Sequence, residues 1–293
     1  PVLVSSADGV GTKLKVAFLT GRHDTVGGDL VNHWGNDILV QGARPLFFLD
    51  YVATGRLSPR VTADVVAGMA AACVDNGCAL LGGETAEMPG FYADGEYDLA
   101  GFIVGLVGRA RIIDGHDVAP GDVIVGLPST GLHTNGYSLA RRILFEQLGL
   151  TVDSVVKELG CSVGDELLRP HCSYLRSTWP VVETGAVKAM AHITGGGLTE
   201  NGPRVLPEGC TARIDPDTWP VPPIFTFLRE RGDVPVDEMY RTFNMGIGMA
   251  LVCAKADVSR VVAKLIGAGE VGAAPIGEIR EGSPAVEYAH WDR

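Results

Sequence analysis

The sequence predicts an α/β (α+β) protein built from two αβ domains, and three observations carry that expectation. At 293 residues, 46% of them hydrophobic, the chain is long enough to enclose two cores. Stretches patterned as strands and as helices alternate through both halves. Between the halves, Pro120-Gly121-Asp122 interrupts the series. The expected domains are residues 1–112 and 118–293.

The elements follow in order. Residues 1–6 read as a strand that runs into the glycine-rich turn ADGVGTK. Residues 25–41 read as a helix, because Leu30, Val31, Trp34, Ile38 and Leu39 fall at helical spacing and Gly42 stands ready to stop it. LFFLDYVA (46–53) is a strand. Ser58-Pro59 opens a helix whose apolar face is Val61, Val65, Met69 and Cys73, with Gly77 as its stop. CALLGG (78–83) reads as a short buried strand and YDLAGFIVGLVG (97–108) as a longer one. In the second half, strands are expected at 122–128, 187–194, 246–254 and 273–280, and helices at 137–148, 172–184 and 257–267. Ser154-x-x-Lys157 is read as the exposed face of a local helix rather than a catalytic pair.

Charge and composition narrow the function. Lys and Arg number 24 against 35 Asp and Glu, a net charge of −11, and such a surface repels a nucleic-acid backbone. Nucleotides remain open to it, because Mg²⁺ and backbone N–H groups supply local attraction. The six cysteines form no C-x-x-C pair, so neither a zinc knuckle nor a redox dithiol is signalled. No apolar run has membrane-spanning length and no leader peptide opens the chain, which points to a cytoplasmic protein without a membrane partner. No P-loop and no G-x-G-x-x-G fingerprint is present.

Four acids stand in settings that suggest chemistry. Asp8 lies between a strand end and glycines, Asp37 late in an apolar helix, Asp50 inside a strand, and Glu84 after Gly82-Gly83. Buried carboxylates need a partner, and several at element ends are able to converge on one Mg²⁺. Each has a plainer reading. Asp8 suits an Asx-turn, Asp37 a solvated helix position, Asp50 a pair with Arg44 or Arg56, and Glu84 the first turn of a helix. His133, in the polar loop STGLHTNG, suits a general acid or base or a loop histidine bonded to backbone. His192 is read as structural. Gly195, Gly196 and Gly197 expose backbone N–H groups suited to a phosphate, or form a flexible loop.

Asp37-Ile-Leu-Val-Gln-Gly42-Ala43-Arg44-Pro45 fits D-x4-G-A-x-P, which resembles the ATP-binding signature of the aminoimidazole ribonucleotide synthetase superfamily. DGVGTKLK (8–15), GRHDTVG (21–27), PLFFLDYVATG (45–55), GGETAEMPG (82–90), YDLAGF (97–102), GLHTNGYS (131–138), HITGGGLTEN (192–201) and MYRTFNMGIGM (239–249) are similar, in order, to the cyclo-ligase family within it. The resemblance implies ATP-dependent closure of formylglycinamidine ribonucleotide to aminoimidazole ribonucleotide through an iminophosphate. It implies ATP and Mg²⁺, with K⁺ as a further ion, a small ribonucleotide substrate, and a homodimer whose N-terminal strands form a shared barrel. By matched motif, Asp8, Asp37 and Glu84 would hold the metal, and Asp8, Gly9, Lys13, Asp37, Gly42, Ala43, Pro45 and Asp50 the ATP. Ser129, Asn135 and Gly195 to Gly197 would meet the substrate, while His133, Asp37 and Glu84 would be catalytic.

The chain departs from the family pattern at Ala7, at Gly28 and at His33-Trp34-Gly35, which replaces an apolar stretch. The family also carries a Gly-rich segment with a lysine before this first strand, so residues are expected upstream of Pro1. Two other readings stay open. A selenophosphate synthetase would want a reactive cysteine near the start, whereas the first here is Cys73. A non-catalytic nucleotide-binding dimer would bind without turnover.

Overall fold

The computed structural model describes residues 1–290. Two sheets divide the chain. The first contains β1 (Val2–Gly9), then after α1 (Leu14–Thr20) and α2 (Asp24–Leu39) comes β2 (Arg44–Thr54), and after α3 (Pro59–Asp75) come β3 (Ala79–Glu87) and β4 (Tyr97–Val107). The strand order is β1-β4-β2-β3. β4 pairs antiparallel with β1 and β2, while β2 and β3 run parallel with α3 as their crossover.

The second sheet begins at β5 (Val123–Pro128). α4 (Tyr137–Arg141) continues as a π-type turn over Arg142–Gln147, so the helix expected at 137–148 is wider-wound in its second half. A ribbon of β6 (Val155–Val156) and β7 (Cys161–Ser162) follows, then α5 (Val163–Leu167), α6 (Leu175–Val182) and β8 (Val187–His192). The chain goes on through α7 (Gly197–Asn201), β9 (Cys210–Ile214), α8 (Pro223–Gly232) and α9 (Val236–Thr242). It ends with β10 (Ile247–Cys253), α10 (Val258–Gly267), β11 (Ala274–Glu281) and β12 (Val286–Tyr288). The order is β12-β9-β11-β5-β10-β8, antiparallel except between β12 and β9. β10 is buried along its whole length, as expected of an inner strand covered on both faces. Among the described residues, no helix is long and apolar enough to cross a membrane.

The apolar face of α2 behaves as its spacing predicts. Leu30, Trp34 and Ile38 share a buried cluster with Phe48, Leu99 and Ile103 of the first sheet. Gly42 takes a left-handed φ of 74° and ends the segment. Two expectations are corrected. The strand expected at 78–83 is neither short nor buried: β3 sits at the sheet edge, runs on to Glu87, and is exposed over most of its length. Ser154-x-x-Lys157 is no helix, because Ser154 Oγ closes a turn on Thr151 N at 2.9 Å and Val155–Val156 pairs as β6.

α2 and α3 cross through glycines. A Cβ on Gly27 would stand 2.0 Å from the Val65 carbonyl, and one on Gly68 would stand 2.0 Å from the Asp24 carbonyl. Gly68→Ala should therefore force the helices apart at a cost of about 1–3 kcal/mol. Urea titration should show a lower midpoint with an unchanged slope; an unshifted midpoint would mean that the crossing relaxes freely.

Candidate active site

The site is assembled by a polar stripe on α2. Asp29, Asn32, His33, Asn36 and Asp37 follow the spacing i, i+3, i+4, i+7, i+8, so they share one face of the helix. That face meets the segment 169–174 of the second unit. Asp29 Oδ1 accepts from His171 N at 2.6 Å, and Asn32 Nδ2 donates to His171 O at 2.8 Å. Asn36 donates to Cys172 O at 3.0 Å and accepts from Tyr174 N at 2.9 Å. Burying these groups is tolerable because each finds a partner.

Four histidines gather where this latch meets the loop after β5 and the end of β8. His171 Nε2 lies 3.0 Å from His192 Nε2, and His192 Nδ1 donates to Asp37 Oδ1 at 2.7 Å. Thr134 Oγ1 stands 2.7 Å from His33 Nδ1 and 3.3 Å from His171 Nδ1. His133 stacks on His171 with ring centroids 4.1 Å apart. Burial drives the His33 imidazole down to about 3, with the neighbouring His192 adding to the effect. Burial likewise holds His133 and His171 well below the ordinary histidine value, and their neighbouring histidines and Lys13 push the same way. Asp37 responds differently. Burial works to raise it, yet the hydrogen bond and charge of His192, with His33 and Ser6, outweigh burial and hold the carboxyl below its usual range.

Asp37 opens on a cavity of about 480 Å³ between the two sheets. Asp8 and Ser6 of β1 line it on one side, and His192, Thr194, Asn201 and Arg204 on the other. Ser6 Oγ donates to Asp37 Oδ2 at 3.0 Å. Opposite charges thus face one space, Asp8 and Asp37 against Arg204. Asn201 Nδ2 donates to the carbonyls of Gly195 and Gly197 at 3.1 and 2.8 Å, which shapes the glycine loop beside the cavity.

The structure brings some expected residues together and separates others. Asp8 and Asp37 share the cavity; Glu84 does not. The register Glu84–Tyr51–Ala100 lies one residue off Gly83–Asp50–Gly101–Asp8, so Glu84 is on the opposite face of the sheet, exposed. The three-carboxylate cluster therefore does not form within one chain. Asp50 is half-buried beneath β3, outside the cavity, and burial raises its carboxyl. Gly83 makes room for the neighbouring strand: a Cβ there would stand 2.1 Å from the Asp50 carbonyl oxygen and 2.5 Å from its Oδ1. Gly42, Ala43 and Pro45 end α2 and open β2 away from the cavity. Gly9 donates its N–H to Asp8 Oδ1 at 2.7 Å.

Lys13 corrects the expectation of an ATP contact. Its side chain is wholly buried, with Nζ 2.7 Å from Asp29 Oδ2 and donating to Arg169 O at 2.7 Å. His133 also lies deeper than expected, buried and off the cavity wall, in the left-handed region at φ 61°. Its Nε2 accepts from Thr130 N at 3.2 Å, so the ring proton sits on Nδ1, which has no partner among the described residues. Ser129 bonds Asn244 Oδ1 at 2.8 Å. Asn135 faces the glycine loop, where a Cβ on Gly195 would stand 3.3 Å from its Oδ1, and its Nδ2 is buried without an acceptor among the described residues. Gly197 packs against the Tyr240 carbonyl, 2.0 Å from where a Cβ would stand, so part of the glycine run serves packing. Sequence reasoning missed His33, His171, Asp29, Asn36 and Arg204. For four of them a signal was present: polar residues at helical spacing in an otherwise apolar helix, and a histidine directly after Pro170.

Known proteins resemble this chain in sequence and in fold. A family model described as "AIR synthase related protein, N-terminal domain" matches residues 2–107, and one described as "AIR synthase related protein, C-terminal domain" matches 119–289. A phosphoribosylformylglycinamidine cyclo-ligase of Syntrophotalea carbinolica is 56% identical over 98% of this chain and 83% of its own length. The cyclo-ligase of Geobacter sulfurreducens is 55% identical over 98% and 82%. Among solved structures, hydrogenase maturation protein HypE superposes with a TM-score of 0.73 at 20% identity, covering 99% of this chain and 86% of that one. Thiamine monophosphate kinase from Aquifex aeolicus gives 0.66 at 16% identity, covering 98% and 86%. These two likenesses speak for the fold alone.

Neutral buried histidines make stability depend on pH. Their folded values lie below the unfolded value near 6.5, so below that pH the unfolded chain binds more protons and folding is penalised. The contribution is complete above about pH 6.5 and is lost as pH falls toward the folded values, which for His33 is about 3. His171 faces His33, His133, His192, Lys13 and Asp29. Each such histidine should cost about 1.4 kcal/mol per pH unit below pH 6. Urea unfolding from pH 7.5 to 5 should show this slope, and His171→Gln should flatten it by one proton; an equal slope in the variant would show that His171 is not held neutral.

Proposed function

The chain belongs to the AIR synthase related family, carrying both its domains, and we propose from that premise that it closes the imidazole ring of formylglycinamidine ribonucleotide at the expense of ATP, giving aminoimidazole ribonucleotide, ADP and phosphate in purine biosynthesis. The observation that carries the reading is the cavity in which Asp8 and Asp37 stand together opposite Arg204, in a chain 51–57% identical to cyclo-ligases along nearly its whole length.

The chemistry asks for orientation and charge control. The formyl amide oxygen takes the γ-phosphoryl group, giving an iminophosphate. The amidine nitrogen then bonds to the same carbon, the C–O bond breaks, and phosphate leaves with the oxygen. Two carboxylates and room for water and phosphate oxygens fit Mg²⁺, which takes oxygen ligands. Asp8 and Asp37 would hold it, and when bound it supplies neutralisation of the phosphate charge. His192 keeps Asp37 ionised and fixes its direction. Arg204 offers the substrate phosphate a cationic partner, and Asn135, whose Nδ2 lacks an acceptor, offers a donor beside the Gly195 to Gly197 loop. Ser129 bonds Asn244, which in turn donates to the Gly131 carbonyl and so ties down the loop after β5. The buried His133 orders the cluster from behind rather than touching substrate. K⁺ and a cytoplasmic setting belong to this reading as the ordinary context of the reaction.

A homodimer belongs to the reading too. The face of the first sheet away from α2 exposes Leu3, Tyr51, Leu81, Phe102 and Leu106, with Leu3 at 67% and Phe102 at 41%. A contiguous apolar sheet face of this kind calls for a cover, and we assign it a second copy, whose strands would complete a barrel. Glu84 stands on that same face, so its part at a nucleotide would run through the pair and not through its own Asp8 and Asp37.

Purified protein given formylglycinamidine ribonucleotide, ATP, Mg²⁺ and K⁺ should release aminoimidazole ribonucleotide and phosphate in equal amounts. Phosphate without aminoimidazole would defeat the cyclo-ligase reading and leave a kinase-like one. Asp37→Asn should lower kcat/KM about 100-fold or more; a near-normal rate would remove Asp37 from the site. Phe102→Glu should convert a dimer to a monomer in light scattering, and an unchanged mass would mean that another surface pairs the copies.

A further inference from the structure

His33, Asp37 and His192 present two imidazoles and a carboxylate whose ligating atoms all lie within 4.8 Å of one another. The three side chains line the same cavity wall. We propose that they form a binding site for a divalent transition-metal ion of the Zn²⁺ type, distinct in chemistry from the oxygen-only setting that Mg²⁺ prefers.

The donors select the ion. Imidazole nitrogen suits Zn²⁺, Co²⁺ or Fe²⁺ and is a poor ligand for Mg²⁺, which keeps oxygen and water. The shell behind the ligands is already built. With the His33 ring proton on Nδ1, Thr134 Oγ1, 2.7 Å away, accepts it. That bond leaves the lone pair on Nε2, which has no hydrogen-bond partner among the described residues. At His192, the Nδ1–H shared with Asp37 Oδ1 at 2.7 Å marks the place a metal would take. With metal on Nδ1, the ring proton moves to Nε2 and is donated to His171 Nε2, 3.0 Å away. His171 then carries its proton on Nδ1 and donates to Thr134 Oγ1 at 3.3 Å. Every imidazole nitrogen of the ligands is then occupied, by metal or by hydrogen bond, and the rings need only small shifts. Outer partners of this kind set ligand orientation and affinity.

Asp37 would serve either this ion or Mg²⁺ with nucleotide, so the two exclude each other. That consequence rests on the proposed function, but the binding itself does not, and the test reads binding alone. Protein stripped with a chelator is titrated with Co²⁺ and followed by its visible d–d absorption, then with Zn²⁺ in equilibrium dialysis. One ion per chain is expected, with Zn²⁺ displacing Co²⁺ and millimolar Mg²⁺ leaving the band in place. His33→Gln should abolish the band or weaken binding about 100-fold, and Thr134→Val should weaken it about tenfold through lost orientation. Circular dichroism and the urea midpoint show that each variant is folded. A second group, Asp215, Asp217 and His290, lies on the surface and is the competitor. Absence of a band in the folded wild type, a band undiminished in His33→Gln, or a band lost instead in Asp217→Asn would each overturn the proposal.

Discussion

The arrangement depends on one constraint: the buried polar stripe of α2 must find its partners in the second unit. Asp29 and Asn36 are buried, and Asn32 half-buried, on the side of α2 that meets the second unit. The backbone of residues 171–174 meets much of their hydrogen bonding, and Lys13, Asn76 and the His171 ring supply the rest. Leaving one such group unpaired costs about 1–3 kcal/mol. The two units are thereby held in a single relative position, and the cavity between them has a defined shape. An apolar contact of the same area would not select one register.

Charge is distributed to match. Lys13 and Asp29 form an ion pair with both side chains wholly buried, anchored further by Arg169 O and His171 N. Such a pair is weak evidence for stability and strong evidence for a fixed geometry, because breaking it strands a charge. Around it His33, His133 and His171 are kept neutral by burial, and the nearby anionic group with access to the cavity is Asp37, held ionised by His192. A carboxylate in that position, near Asp8 and across from Arg204, is set to meet a cation and a phosphate together.

The glycines near acids carry two meanings that only coordinates separate. Gly83 leaves room for Asp50 of the neighbouring strand, and Gly197 for the carbonyl of Tyr240. Gly195, in contrast, lies open beside Asn135. The outer face of the first sheet, with Glu84 among exposed apolar side chains, has the character of a surface awaiting its second half.

Local pattern alone determined a good part of this protein. Helical spacing located α2 and α3, alternation and β-branched runs located the long strands, and ordered motifs carried the resemblance to a family. Those features are set by neighbours in sequence, through backbone propensity and the period of apolar residues. Pattern did not determine which acids meet. Asp8, Asp50 and Glu84 look alike in sequence, yet a one-residue difference in register sends Glu84 to the other face of the sheet, and strand order puts Asp50 beneath β3. Nor did it show that Lys13 would be buried against Asp29, or that His33, His133, His171 and His192 would converge from four separate segments. Burial and pairing across more than a hundred residues are properties of the packed chain, and there the tertiary structure decided.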